Sequence, residues 1–158
     1  MRTYITPVKL NKYNRNIPDV CIKCTDEKGT LFHCMWQCCK IKQFWGEVQK
    51  ETEKIISKDI PMDPRLFILG LYPKSHNYSK NDQIMIDMCL LHARRSIAIS
   101  WKNIKRPSVS HWVRQMLAIF PLERVTYIKT GKQDLFEQIW SPFIAFVKNI
   151  DFSEGEEE

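Results

Sequence analysis

Three cysteines and one histidine in the N-terminal third of the chain follow the spacing C-x2-C-x8-H-x4-C. These residues are Cys21, Cys24, His33 and Cys38. A tetrahedral Zn²⁺ ion takes four nitrogen or sulfur ligands, and this spacing supplies them as two pairs from two short segments. Four protein ligands close the coordination sphere, so the spacing predicts a structural zinc ion rather than a catalytic one. Such a site constrains its surroundings strongly, because folding and metal binding are then coupled.

The spacing alone leaves the third ligand open. His33 and Cys38 are five residues apart, which is roughly 140° around an ideal α-helix, so we expect His33 just before a helix and Cys38 in its first turn. Cys34 and Cys38 are four residues apart and share a helix face, which makes a four-cysteine site the main alternative. In a third interpretation the cysteines are ordinary buried residues and His33 is a helix cap.

The cysteine content also bears on the cellular compartment. The six cysteines, of which five lie within residues 21–39, are too few and too clustered for a secreted disulfide scaffold. The sequence has no signal peptide, and no stretch approaches the roughly 18 apolar residues of a membrane span. We therefore expect an intracellular protein of the cytoplasm, the nucleus or both, which is not secreted and whose cysteines are free or bound to metal.

Hydrophobic periodicity predicts a mainly α fold. We expect a short edge strand or extended arm over residues 2–10 and a small zinc-binding β-hairpin over 20–32, leading into a long helix over 33–57. A helical bundle follows, with a nearly all-apolar central helix over 81–103, a helix capped by Ser108, and a last helix over 133–149. Ser79 and Asp82 have the spacing of a capping box before the central helix.

The same pattern predicts the organisation of the chain. Residues 1–57 hold the N-terminal arm, the zinc hairpin and the following helix, and residues 58–80 form a connector. Residues 81–150 form the helical bundle, and residues 151–158 are expected to be a disordered acidic tail.

The charge balance indicates an anionic partner. The chain carries 24 Lys and Arg against 18 Asp and Glu, a net charge of +6. Five of the acids lie in residues 151–158, which leaves a net charge of +11 over residues 1–150. A body this basic is typical of proteins that bind nucleic acid, although solubility alone is an alternative reason for surface charge.

Clustered cations neutralise phosphates, and exposed aromatic rings stack on unpaired bases. The candidate nucleic-acid contacts are Lys23, Lys28, Lys40, Lys42, Arg94, Arg95, Trp101, Lys102, Lys105 and Arg106. Trp112, in contrast, lies on an apolar helical stripe and is expected in the core. We expect RNA or DNA to bind with little base specificity, and we expect neither a membrane nor a small-molecule partner.

The sequence offers no catalytic motif. None of the five glycines forms a phosphate-binding loop. The histidines His76, His92 and His111 have no Ser, Cys or carboxylate partner at an informative spacing. We therefore expect no enzymatic activity and no catalytic residues.

Several segments together resemble one protein family. They are TPVKL at 6–10, C-x2-C at 21–24, GTLFHCMWQC at 29–38, FW at 44–45, IPMDPRLFILGLYP at 60–73, ARRSIAISWK at 93–102 and PSVSHWVRQM at 107–116. The family is the C-terminal, zinc-binding segment of the reverse transcriptase protein of LINE-type, non-LTR retrotransposons. The resemblance extends to about residue 150. By this resemblance His33, rather than Cys34, is the third zinc ligand.

The resemblance implies a non-catalytic role for this chain. The full family protein carries an endonuclease and a reverse transcriptase upstream, nicks DNA and copies element RNA at the nick. Its C-terminal segment binds nucleic acid, chiefly RNA. This chain contains neither enzyme domain and no Asp-Asp pair of the polymerase type, so we expect a truncated copy, a fragment or a host-adopted remnant.

Two other functions remain open at the level of the sequence. The chain can be a protein-interaction module that docks on the upstream polymerase or on a host protein, through the apolar segment 66–72 or an exposed tryptophan. It can also be an inert, truncated retrotransposon remnant.

Overall fold

The computed structural model describes residues 4–150. Within these residues the chain forms six α-helices and one turn of π-helix. They are α1 (Pro7–Tyr13), the π turn (His33–Gln37), α2 (Cys39–Ile56), α3 (Pro64–Leu69), α4 (Lys80–Ile99), α5 (Val109–Lys129) and α6 (Gln133–Lys148). This confirms the prediction of a mainly α fold, and the described residues contain no strand. The predicted acidic tail lies outside the described residues.

The N-terminal arm is helical rather than extended. The Thr6 hydroxyl accepts a hydrogen bond from the Lys9 N–H (3.3 Å), and Pro7 begins the helix, where its missing N–H costs nothing. The predicted edge strand over residues 2–10 is therefore wrong from Pro7 onward, because the cap and the proline together start α1. Pro7 packs tightly on Gly29, where an added Cβ would lie 2.5 Å from the proline ring.

Residues 20–29, which we call the cysteine knuckle, form tight turns instead of the predicted β-hairpin. One antiparallel bridge joins Val20 to Lys28. Inside this bridge the Cys21 N–H donates to the Glu27 carbonyl (2.7 Å) and the Thr25 N–H donates to the Cys21 carbonyl (2.8 Å). Thr25 takes a left-handed conformation with a φ of 60°. The backbone N–H and carbonyl groups that paired strands would need are therefore bonded within turns.

The predicted helix over 33–57 forms in two pieces. The π turn ends at Gln37, Cys38 has extended backbone with a ψ of 129°, and α2 begins at Cys39. Along this helix the sequence predicts one buried stripe at steps of three and four residues, and the structure confirms it for every member except the half-buried Ile56. The predicted members are Ile41, Phe44, Trp45, Val48, Thr52, Ile55 and Ile56. The buried residues of α2 are Ile41, Phe44, Trp45, Val48, Thr52 and Ile55.

Helix α4 lies at the centre of the bundle, as its nearly all-apolar sequence predicts. It packs against α2, α3, α5 and α6. From α5, the fully buried Trp112 reaches across and its indole N–H donates to the Cys89 carbonyl (2.9 Å). The prediction that Trp112 belongs to the core is confirmed. No helix among residues 4–150 combines the length and the apolar composition that a membrane crossing needs.

The helix ends follow local sequence signals closely. Ser79 and Asp82 form the predicted capping box at the start of α4, with bonds of 3.1 and 2.9 Å. Lys58 also reaches the Asp82 carboxylate at 2.6 Å and ties the end of α2 to this cap. Helix α5 continues through Pro121 to Lys129, so this proline does not end the helix. The predicted division at residues 57 and 80 stays a prediction.

A buried histidine in the bundle gives a prediction about pH. His92 on α4 is 4% exposed, and among the described residues its Nδ1 has no hydrogen-bond partner. Burial and the nearby Arg95 charge lower the pKa of His92, while Gln115 beside it acts in the opposite direction. Both of the lowering effects disfavour the imidazolium form.

We predict that His92 titrates below its ordinary value of 6.5. The unfolded chain then binds more protons than the folded chain, so the stability that depends on neutral His92 is complete above pH 6.5 and is lost as the pH falls below it. An NMR titration of the imidazole measures the pKa directly. The variant His92→Leu should lose less stability on acidification than the parent chain. An imidazole that titrates at or above 6.5 would contradict the prediction.

Candidate metal centre

The π turn brings two of the predicted ligands into register. The Cys38 N–H donates to the His33 carbonyl at 2.9 Å, a bond between residues five apart. In an α-helix this spacing would turn the two side chains away from each other, whereas an i→i+5 bond aligns residues five apart. The expectation that His33 stands just before an ordinary helix is therefore replaced by a single π turn, which is a common feature of functional sites.

The knuckle positions the other two ligands. The bond from the Cys21 N–H to Glu27 and the bond from the Thr25 N–H to Cys21 close two nested turns around Cys24. The Thr30 hydroxyl then accepts the His33 N–H (3.1 Å) and links the knuckle to the first residue of the π turn. As a result the two halves of the C-x2-C-x8-H-x4-C spacing face each other across a short connection.

The ligand atoms of Cys21, Cys24, His33 and Cys38 all lie within 4.8 Å of one another. Cys21 Sγ is 3.9 Å from Cys38 Sγ, and Cys24 Sγ is 3.3 Å from His33 Nε2. Zinc bond lengths of about 2.3 Å to sulfur and 2.0 Å to nitrogen give tetrahedron edges of roughly 3.8 Å between sulfurs and roughly 3.5 Å from sulfur to nitrogen. The two observed distances are close to these edges. The cluster can hold a metal ion, and its donor set is consistent with zinc.

The cysteines of the cluster differ in thiol pKa. Burial raises the pKa of Cys38 to about 12, although two backbone N–H groups at the start of α2 act against it. Burial also acts to raise the pKa of Cys24, but two N–H groups of the knuckle together with His33 outweigh it and lower the pKa to about 7. Thiolates are the forms that bind metal ions. Cys24 is thus partly thiolate at neutral pH, whereas Cys38 must release its proton when an ion binds.

Cys34 does not belong to the cluster, although it is buried beside it. The group of residues that can hold a metal ion includes His33 and not Cys34, because the π turn aligns Cys38 with the residue five before it. Burial and the neighbouring Cys21 raise the pKa of Cys34 to about 12. Cys39, the neighbour of Cys38, is exposed on the first turn of α2.

His33 meets the cluster through Nε2, and its second ring nitrogen faces a carboxylate. Glu27 Oε2 lies 3.2 Å from His33 Nδ1, although the geometry of a hydrogen bond is not met. Metal-binding histidines commonly turn their second nitrogen toward a carboxylate, which fixes the tautomer and the ring orientation. With Nδ1 on the side of Glu27, Nε2 faces Cys24 Sγ inside the cluster, as ligation requires.

Lys23, between the first two ligands, is buried and anchors the knuckle to the bundle. Its ammonium donates to the Ser100 carbonyl (2.6 Å) and the Asn103 carbonyl (2.7 Å), just beyond the end of α4. Burial lowers the pKa of Lys23, and the sulfurs of the nearby cysteines partly oppose this. The sequence predicted Lys23 as a phosphate contact. The structure instead buries the Lys23 ammonium against these carbonyls, where a phosphate cannot reach it. No local sequence signal indicates this anchoring role.

Two other predicted nucleic-acid contacts are engaged within the fold. Arg94 donates to two carbonyls at the end of α3, at 3.1 and 3.3 Å. Arg106 forms a bidentate ion pair with Glu47, at 2.7 and 2.9 Å. The Trp101 indole N–H donates to the Ile5 carbonyl (3.2 Å), so the N-terminal arm partly covers this ring.

The remaining predicted contacts lie at the surface, in separate places. Lys28, Lys42, Arg95, Lys102 and Lys105 are exposed, and Lys40 is half-buried. Lys40, Lys105 and Arg106 line one groove of about 420 Å³. Arg94, Arg95 and Trp101 line a different one of about 970 Å³. The sequence did not separate the residues of the two grooves, because Lys40 is distant along the chain from Lys105 and Arg106.

The geometry establishes a four-residue cluster that can hold a metal ion. Comparison of the sequence with models of known protein families gives no match. The resemblance to LINE-type reverse transcriptase proteins therefore stays a proposal.

We predict that the purified chain binds one metal ion with tetrahedral coordination. The variant Cys24→Ser should abolish this binding and the cooperative thermal unfolding that depends on it. The neighbouring exposed thiol provides a matched control, since Cys39→Ser should leave both properties unchanged. Absorption of the Co²⁺-loaded chain reports tetrahedral thiolate ligation, and thermal denaturation with and without a chelator reports stability. Equal metal content in the two variants would contradict the assignment of the ligands.

We also predict that Lys23→Met destabilises the chain by about 3 kcal/mol, because the buried ammonium donates charge-assisted hydrogen bonds to the Ser100 and Asn103 carbonyls, which the variant loses. Lys28→Met removes the same charge from the exposed side of the same knuckle and should change the stability by no more than about 0.5 kcal/mol. Denaturant titration of the metal-loaded chains measures both effects. Similar stabilities for the two variants would contradict the anchoring role.

Proposed function

We propose that the chain is a zinc-stabilised, non-catalytic module that binds nucleic acid, chiefly RNA, and that it derives from a LINE-type retrotransposon reverse transcriptase protein. The observation that carries the binding proposal is the basic groove between the first turns of α2 and the start of α5. Lys40, Lys105 and Arg106 line it. A phosphate in this groove would meet the two lysines, which come from separate parts of the chain, beside an Arg106–Glu47 pair that carries no net charge.

The electrostatics of the basic groove favour an anion. Helix α5 begins in the groove with Ser108, whose hydroxyl accepts the His111 N–H (3.2 Å), and its first turn contains no acidic residue. The N-terminus of a helix carries a partial positive charge, which adds to that of the side chains. Glu47 also lines the groove, but its bidentate pair with Arg106 neutralises it and holds the guanidinium in place.

Zinc is the ion we propose for the cluster. Three cysteines and one histidine form a donor set typical of closed structural zinc sites, and the distances from Cys21 Sγ to Cys38 Sγ and from Cys24 Sγ to His33 Nε2 fit tetrahedral zinc. Thiolate sulfur disfavours calcium and magnesium, which prefer oxygen ligands. When bound, zinc would cross-link the knuckle to the start of α2. It would have no catalytic role.

The metal centre supports the basic groove from both sides. Lys40 lies two residues beyond the ligand Cys38, in the first turn of α2. Lys23, between two other ligands, holds the carbonyls of Ser100 and Asn103 just before Lys105. Both walls of the basic groove are thus linked to the cluster through short stretches of backbone. This link gives the proposed zinc ion a functional role without direct contact with the nucleic acid.

We predict that a double variant, Lys40→Glu with Lys105→Glu, weakens binding of a single-stranded RNA oligonucleotide at least tenfold. Loss of two phosphate contacts should also reduce the slope of log affinity against log salt by about 1.4, at about 0.7 for each contact with a single strand. Arg106 is left unchanged because its replacement would strand Glu47. Fluorescence anisotropy at a series of salt concentrations measures both quantities, with double-stranded DNA as a second ligand.

The control is a double variant with the same change in net charge at two exposed lysines at the far end of α5, Lys129→Glu with Lys132→Glu. Helix α5 begins at the groove with Val109, and Lys129 is its last residue, about 30 Å along the helix at 1.5 Å per residue. This variant should retain the affinity of the parent chain within about threefold, since charges beyond the Debye length of about 8–10 Å are largely screened. Equal losses in the two double variants would mean that net charge alone drives binding. An affinity that does not respond to salt would overturn the proposal.

A further inference from the structure

A second groove, which we call the apolar groove, lies on a different part of the surface from the basic groove. Its volume is about 970 Å³. Most of its walls are aliphatic or aromatic, and they include Leu31, Phe32, Met35, Met88, Leu91 and Ile119. Leu31, Phe32 and Leu91 are each at least half exposed. A contiguous exposed apolar patch is uncommon on a soluble domain and marks an interaction surface.

The floor of the apolar groove has the dimensions of a short helix. Along α4 the lining residues Met88, Leu91, Arg95 and Ala98 follow one another at steps of three and four. At 1.5 Å per residue this stripe is about 15 Å long. The residues next to the π turn form one wall and α5 forms the other. A helix of about ten residues fits along such a floor, as in helix-in-groove recognition.

The composition of the walls disfavours nucleic acid as the occupant. Nucleobases stack on flat aromatic or guanidinium surfaces. Among the aromatic rings in the groove is that of Trp101, which the N-terminal arm partly covers. Leu31, Leu91 and Ile119 present branched aliphatic side chains. Of the two arginines that line the groove, Arg94 is engaged with the carbonyls at the end of α3. The apolar groove therefore suits aliphatic side chains of a protein better than it suits bases.

The charges at the apolar groove indicate which protein segment fits. Arg95 is exposed and forms no ion pair within residues 4–150. Glu123 lines the opposite side, and the whole chain carries a net charge of +6. The charged residues that line the groove are two arginines and one glutamate, so two copies that met through it would each bring a net positive charge. A partner with acidic residues beside its apolar stripe would instead complement Arg95.

We propose that the apolar groove binds an amphipathic helix of a partner protein, with apolar residues at helical spacing and Asp or Glu flanking them. The apolar groove and the basic groove share no lining residue. The chain can therefore hold nucleic acid and a protein helix on separate surfaces. The proposal does not require the nucleic-acid function to be correct.

The test starts with a displayed library of random peptides of about 14 residues, which is about four helical turns. The library is selected on the full chain and depleted on the variant Leu91→Glu. We expect the enriched peptides to carry apolar residues at spacings of three and four, with Asp or Glu beside them. Enrichment of basic peptides, of peptides without helical spacing, or of no peptide would overturn the proposal.

Affinities of the enriched peptides for matched variants locate the site. Leu91→Glu should weaken binding at least tenfold, and Leu122→Glu, at an exposed leucine on α5 outside the groove, should leave it within about twofold. Arg95→Glu should weaken binding of acidic peptides, while Arg114→Glu on α5 should not. Equal effects of Leu91→Glu and Leu122→Glu would contradict the location. Each tenfold loss of affinity corresponds to about 1.4 kcal/mol of binding free energy.

Three further readouts separate the proposal from its competitors. The Lys40→Glu and Lys105→Glu double variant should still bind the peptides, so failure of the nucleic-acid proposal would not affect this test. If Leu91→Glu abolishes RNA binding while the enriched peptides fail to compete with RNA, the occupant is nucleic acid and the proposal is wrong. If the parent chain forms dimers that Leu91→Glu dissociates, the occupant is a second copy, which also overturns it.

Discussion

The cluster of Cys21, Cys24, His33 and Cys38, which can hold a single metal ion, is the feature that organises the N-terminal third of this protein. Among the described residues, the cysteine knuckle has one isolated bridge and no strand ladder. Cys21, His33 and Cys38 are nevertheless almost completely buried. Sulfur and imidazole groups in such a position need a common partner, since burial without one carries a desolvation cost. A metal ion in the cluster would satisfy all of them at once and would join the knuckle to the core helix α2.

The metal centre is connected to the bundle by a lysine rather than by apolar packing alone. Lys23 crosses from the knuckle to the carbonyls of Ser100 and Asn103 just beyond α4. A cation is also favourable at the C-terminal end of a helix dipole. The same short segment therefore supplies two metal ligands and the contact that orients them against the bundle. Loss of the ion and loss of the lysine would affect the same interface.

Sequence reasoning succeeded where a local pattern determines structure. The stripe of α2, the capping box of Ser79 and Asp82, and the buried Trp112 are all local or periodic features, and the structure confirms them. It failed for α1 because the pairing of Thr6 and Pro7 as a cap outweighs the apparent alternation. It also failed for Lys23, since the burial of this side chain depends on residues nearly eighty positions away.

The candidate metal ligands were recognisable because ligand spacing is itself a local signal. The choice between His33 and Cys34 was not, since an ideal α-helix puts Cys34 and Cys38 on one face. The π turn changes that geometry, and no propensity scale anticipates a single wider turn. The basic groove was likewise only partly visible: Lys105 and Arg106 are neighbours in sequence, but Lys40 joins them through the packing of α2.

The π turn aligns His33 with Cys38 only if four residues separate them. For the geometry of the ligands, the number of these residues therefore matters more than the identity of their side chains. Met35 and Gln37 lie in this interval, and one is half-buried and the other exposed, so many side chains would fit there. Removal of any one residue would restore an α-helical count and rotate one ligand by about 100° relative to the other. Homologous chains should therefore vary in composition at positions 35 and 37, while they keep the length of the interval and the apolar character of the buried positions 34 and 36.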